Sequence, residues 1–145
     1  MIKIICLGKI KEDYLNKMIE DYKTRINKYH KIEIIELKDT NDLKEEANMI
    51  EKHLSNQDYV ISLDIEGKEF SSKELARHIE DTFNHHGTIS FIIGSSNGLD
   101  EHIKNNSNLR LSFSKMTFPH GLFRAILLEQ IYRSFKIINN ETYHK

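Results

Sequence analysis

Strand-like and helix-like segments alternate five times from the first residues to nearly the last, and that alternation leaves few folds open. Residues 2–7 (IKIICL) read as a short β-rich strand ending at Gly8. Leu15, Met18, Ile19, Tyr22, Ile26 and Tyr29 then recur at three- and four-residue steps, which puts them on one helix face. A second strand, Lys31 to Leu37, precedes the stripe Leu43, Ala47, Ile50 and Leu54, with the polar stretch Asp39 to Asp42 available as its cap. Tyr59 to Ile65 forms a third strand that turns at Gly67. Ser71-Ser72-Lys73-Glu74 has the form of a capping box, Leu75, Ile79 and Phe83 continue the helix, and Gly87 stands where a C-cap belongs. Thr88 to Ile93 is the fourth strand; a short helix around Glu101 leads to a fifth, near Leu109 to Phe113. Pro119, the only proline, marks the first turn of a last helix carrying Leu122, Phe123, Ile126, Leu127, Ile131 and Phe135. No linker or repeat interrupts the series, so it calls for one α/β domain over 1–145, a mainly parallel sheet flanked by helices on both faces.

That last helix is more apolar than one covering a single side of a small sheet needs, and it implies a symmetric contact with a second copy of the chain. No apolar run approaches a membrane span or a signal-peptide core, and the lone Cys6 fits a reducing compartment, so the expected location is the cytoplasm. The net charge of −1 does not describe a general polyanion binder. Charge is uneven, however: from Lys104 to Lys145 seven Lys/Arg (104, 110, 115, 124, 133, 136, 145) face only Glu129 and Glu141, which suggests one anion-facing surface.

Ligands of parallel α/β sheets collect at the carboxyl ends of the strands. Three segments converge there: Leu63 to Gly67, Ile93 to Gly98, and Phe113 to His120. Gly94 directly follows an apolar strand and offers a backbone without Cβ for close approach by a ligand. The third segment mixes apolar side chains with free main-chain donors and acceptors, a composition that suits a flat heterocycle. The same glycines also fit an ordinary turn, and neither GxGxxG nor GxxxxGK[ST] is present. Gly94-Ser95-Ser96-Asn97-Gly98 matches G-x-S-x-G, with Asp100 and His120 or His144 downstream, which sets a serine hydrolase built on Ser96 beside the ligand-loop reading. The eight histidines are scattered, no Cys/His or carboxylate spacing matches a closed metal site, and none is expected.

The stretches FIIGSSNGL, LSFSKMTFPHGLFRAILLEQIYRSFKI and the terminal YHK, with GKIKEDY near the start, closely resemble the ribosomal RNA large subunit methyltransferase H family of the SPOUT superfamily. The resemblance runs over nearly the whole chain. It implies a deep trefoil knot in the C-terminal part of the sheet, an exception to the rule that chains do not thread loops. It implies transfer of a methyl group from S-adenosylmethionine to N3 of a pseudouridine in 23S rRNA, by a homodimer whose tail approaches the partner's cofactor; the balanced net charge adds the expectation that the assembled ribosome, not naked RNA, is the substrate. By position, the cofactor site falls on Leu63, Gly94, Phe113, Ser114, Lys115, Met116, Thr117 and Phe118. Arg133, Tyr143 and His144 become the residues at the reaction centre, and Lys115, Arg124, Arg133 and Lys145 the RNA contacts. Two departures stand out: Ser95 where members often have a second glycine, and a shorter segment from Lys38 to Asn56. They leave a non-catalytic RNA- or ligand-binding relative as the alternative of a different class.

Overall fold

The structure is a computed structural model covering residues 1–145. It contains β1 (Ile2–Leu7), α1 (Asp13–Asn27), β2 (Ile32–Leu37), α2 (Leu43–Glu51), β3 (Tyr59–Glu69), α3 (Ser72–Phe83), β4 (Ile89–Ile93), α4 (Glu101–Asn105), β5 (Leu109–Ser112) and α5 (His120–Ile138). All five strands are parallel, in the order β2-β1-β4-β3-β5. The α/β architecture read from the alternation is therefore the architecture found. The path from β5 at one edge back to α5 is compatible with the knot that the resemblance implies.

Successive side chains of a strand point to opposite faces, and the two cores follow that period. Ile2, Ile4 and Cys6 of β1, with Ile89, Phe91 and Ile93 of β4, enter a cluster completed by α1, α3 and α5. Ile5, Leu7 and Ile92 face the other way, onto Ala47 and Ile50 of α2 and Ile103 of α4. α5 lies against both α1 and α3. Ala125, Leu127, Leu128, Ile131 and Phe135 are buried by these neighbours, so much of its apolar excess is covered within the chain. Cys6 is fully buried, and burial pushes its thiol up to about 11, which makes it a core residue rather than a nucleophile.

Local signals are confirmed at two helix starts. Ser71 and Glu74 form the reciprocal capping box of α3. Asp42 caps α2, its side chain accepting from the amides of Lys44 and Glu45. Two boundaries differ from the reading of the sequence. α3 ends at Phe83 with Asn84 as a right-handed C-cap, and Gly87 has no left-handed φ; it serves the next loop instead. β3 does not stop at Ile65. It pairs with β5 through Leu63, bulges, and resumes with both Leu63 and Lys68 opposite Leu111. Gly67 sits in that bulge because a Cβ there would come within 2.6 Å of the Arg110 carbonyl oxygen. The bulge turns Ile65 outward at the carboxyl end of the sheet, while Asp64 stays buried beside Lys104 and Arg110.

Candidate active site

The carboxyl ends of β3, β4 and β5 enclose a cleft of about 470 Å³, within the size range of small-molecule sites. Its walls come from the β3 bulge (Leu63, Asp64, Ile65), the loop after β4 (Gly94, Ser95, Ser96, Gly98) and the segment between β5 and α5 (Phe113, Ser114, Met116, Thr117, Phe118). His120 and Phe123, from the start of α5, close one side. The three segments singled out in the sequence thus meet in one place, and seven of the eight residues proposed for the cofactor line it; Lys115 does not.

Two properties of the cleft bear on its ligand. Ile65, Met116 and Phe118 at its margin are exposed, Met116 to 78%, which is unusual for three large apolar side chains so close together. The amides of Lys115, Thr117 and Phe118 donate to nothing within the chain, while Met116 N–H is taken by the Ser114 hydroxyl at 3.0 Å. An apolar margin beside free main-chain donors suits a flat, edge-polar group. Gly94 acts differently from the expectation. A Cβ there would overlap the carbonyl of Gly98 and lie 2.9 Å from Leu99 Cγ, so its missing side chain is required by the tight turn itself.

At the other end of α5 the chain terminus folds back. The Arg133 guanidinium bonds Glu129 through Nε at 2.9 Å, donates to His144 Nδ1 at 3.1 Å and lies 4.8 Å from the centre of the Tyr143 ring. Tyr143 donates its hydroxyl to Glu129 at 3.2 Å and meets Tyr132 edge-on. Burial pushes the Tyr143 phenol up to about 12, so near neutrality it is a donor and not a base. Because Arg133 has only donors, Nδ1 of His144 accepts and the ring is the neutral Nε2–H tautomer in this arrangement. Arg133, Tyr143 and His144 therefore form one cluster. Ten residues of helix separate Arg133 from Phe123 at the cleft, about 15 Å of rise.

The family described as "Predicted SPOUT methyltransferase" matches residues 1–144. The chain belongs to the SPOUT methyltransferase family. It is 46% identical to a Clostridium botulinum (strain Kyoto) protein named ribosomal RNA large subunit methyltransferase H, with 99% of each chain covered. A Methanococcus maripaludis (strain C5) protein, provisionally given the same name, is 50% identical over the same shares. Among solved structures, a probable methylase family protein from Haemophilus influenzae superposes with a TM-score of 0.62 at 13% identity, covering 99% of this chain and 70% of that one. An A. aeolicus TrmH/SpoU tRNA modifying enzyme does so with a TM-score of 0.51 at 8% identity, over 95% and 77%. At such identities the two structures speak for the fold. The alignments to the two methyltransferase H relatives run over 157 positions against 145 residues here, so those relatives carry at least a dozen more.

Three expectations for this SPOUT methyltransferase change with the structure in view. Arg124, expected at RNA phosphate, is only 3% exposed: it pairs with Glu36 at 2.6 Å and donates to the Gly8 carbonyl at 3.0 Å. It fixes the end of β1 to α5. Arg124→Ala leaves both acceptors unpaired and is expected to cost about 3 kcal/mol, at the low end for a broken buried pair because Glu36 is partly exposed. Thermal melting should register this as a fall of roughly 10 °C. The basic C-terminal third is also largely neutralised, since Lys104, Arg110, Arg124, Arg133 and Lys136 all have carboxylate partners. Lys115 and Lys145 are the cations of that stretch left to meet phosphate. The hydrolase arrangement on Ser96 is not formed: Asp100 caps α4 through the His102 amide, the His120 ring bonds the Leu7 carbonyl, and His144 is at the far end of α5.

Proposed function

We propose that the protein transfers a methyl group from S-adenosylmethionine to N3 of a pseudouridine in 23S rRNA, acting in the cytoplasm as a homodimer on assembled ribosomes. The observation that carries this reading is the full-length likeness to ribosomal RNA large subunit methyltransferase H proteins. The cleft supports it independently, because its apolar margin and unpaired amides suit an adenosine. When bound, S-adenosylmethionine supplies an activated methyl on a sulfonium leaving group, so the protein needs no covalent nucleophile.

The chain's own residues then have two tasks. The cleft holds the donor: Leu63, Gly94 and the segment 113–118 fix it, with Lys115 outside the wall and turned to the RNA. The tail cluster holds the target: Lys145 meets phosphate, Arg133, held by Glu129, fixes the His144 ring, Tyr143 offers a ring face to a base, and His144 presents Nε2–H to a carbonyl of the target ring. As the methyl passes from sulfur to N3 the N3–H proton leaves to water; most of the acceleration comes from alignment of nitrogen and methyl carbon, with a smaller acid–base share. One chain keeps cleft and tail apart along α5, so the working centre pairs the cleft of one protomer with the tail of the other. With few free cations, binding depends on the shaped surface of the ribosome rather than on naked RNA.

The test is methyl transfer from labelled S-adenosylmethionine to ribosomes lacking the modification, followed by mass mapping of the RNA. Label at N3 of one 23S pseudouridine is the expected result. Cofactor binding without any labelled product would instead identify a non-catalytic relative.

A further inference from the structure

Glu46 stands on the apolar stripe of α2, between Leu43 and Ile50 in helical spacing, yet it is a carboxylate and only 1% exposed. Both of its oxygens are engaged by neutral donors. Oε2 accepts the main-chain N–H of Thr40 at 2.9 Å, and Oε1 accepts the hydroxyl of Ser95 at 3.3 Å. Ser95 in turn accepts the Asn97 amide on its Oγ at 3.3 Å, and its carbonyl takes the Gly98 amide at 2.8 Å. One buried side chain thus ties the β2–α2 connection to the turn that forms a wall of the cleft. The geometry at the near end is set by the helix start: Asp42 caps α2, Asn41 takes a left-handed φ of 62°, and Glu46 N–H closes the first turn on the Asp42 carbonyl.

A carboxylate is costly to bury among apolar residues, and a leucine at position 46 would extend the stripe at less cost. What the carboxylate adds is a fixed anchor for Ser95, within the turn that walls the cleft. We infer that Glu46 is a positioning residue for the methyl donor: through Ser95 it holds the Gly94–Gly98 turn in the shape the cofactor meets, and it links that turn to the β2–α2 connection. This inference rests on the cleft being the cofactor site.

The experiment is calorimetric titration of the full-length protein with S-adenosylhomocysteine, comparing E46A, S95A, the double variant and E46Q, each with its melting temperature. E46A and S95A should each weaken binding about tenfold, and the double variant should bind no worse than either, the signature of two residues acting as one unit. E46Q keeps an acceptor for Thr40 and a polar partner for Ser95, and should stay within about threefold of the unsubstituted protein. In turnover, the cofactor KM should rise while kcat at saturation holds. A purely architectural Glu46 gives the contrary pattern: lower melting temperature with unchanged affinity of the folded protein. Unchanged affinity in S95A overturns the inference even where E46A does not fold. Failure of the unsubstituted protein to bind S-adenosylhomocysteine would overturn the cofactor reading, and this inference with it.

Discussion

Deletion of Tyr143, His144 and Lys145 is expected to abolish methyl transfer, by a hundredfold or more (roughly the loss for misplacing a reacting group by an ångström), while cofactor affinity stays within about twofold. The separation follows from the geometry. The partners of the tail residues, Tyr22, Glu129, Tyr132 and Arg133, are not part of the cleft wall, so removing the tail leaves the donor site intact. Of the three only Tyr143 packs against the main core, half-buried at its edge, and their loss should lower the melting temperature by a few degrees. Calorimetry and a ribosome methylation assay on one preparation check both halves. Weakened cofactor binding in the truncated protein would mean that the tail supports the cleft within its own chain, against the division of labour proposed above.

The second large effect is the converse. Gly94→Val is expected to lower cofactor affinity at least about a hundredfold, because the turn after β4 cannot keep its shape. Any Cβ at this position overlaps the Gly98 carbonyl, and the remaining neighbour, Leu99, is itself 5% exposed and has no free volume to retreat into. The backbone from Ser95 to Gly98 must therefore move, and with it a wall of the cleft. Overpacking of this kind costs roughly 1–3 kcal/mol, which a five-stranded sheet with two cores should survive, so circular dichroism should still report a folded protein. A folded Gly94→Val protein with undiminished affinity would remove the turn from the donor site.

Which parts of this molecule were readable in its sequence follows from how local their causes are. Strand and helix periods, the Ser71–Glu74 box and the Asp42 cap depend on neighbours a few residues away, and all are present. The convergence of the three loops follows from parallel topology, which the alternation implies. Pairings across the fold left no such trace. Gly67 read as a turn because nothing in the sequence says that Arg110 passes above it on the neighbouring strand. Arg124 read as a phosphate contact because Glu36 is 88 residues away. The same blindness made the C-terminal third look like an exposed basic surface. Glu46 had a faint signal, a carboxylate set on an apolar stripe, but its partner Ser95 could be found only in three dimensions. The apolar excess of α5 pointed to a second copy of the chain, whereas α1 and α3 account for much of it. The stronger argument for two chains is the distance along α5 between cleft and tail.

That distance makes one measurement decisive. Coexpress a Gly94→Val protomer with one lacking Tyr143 to Lys145, each bearing a different affinity tag, purify the mixed dimer through both tags, and assay methyl transfer to unmodified ribosomes. Each parent alone should be inactive. A mixed dimer holds one intact cleft and one intact tail on opposite chains, so it should recover about half the activity of the unsubstituted dimer. A doubly tagged dimer as inactive as its parents would contradict a reaction centre shared between protomers.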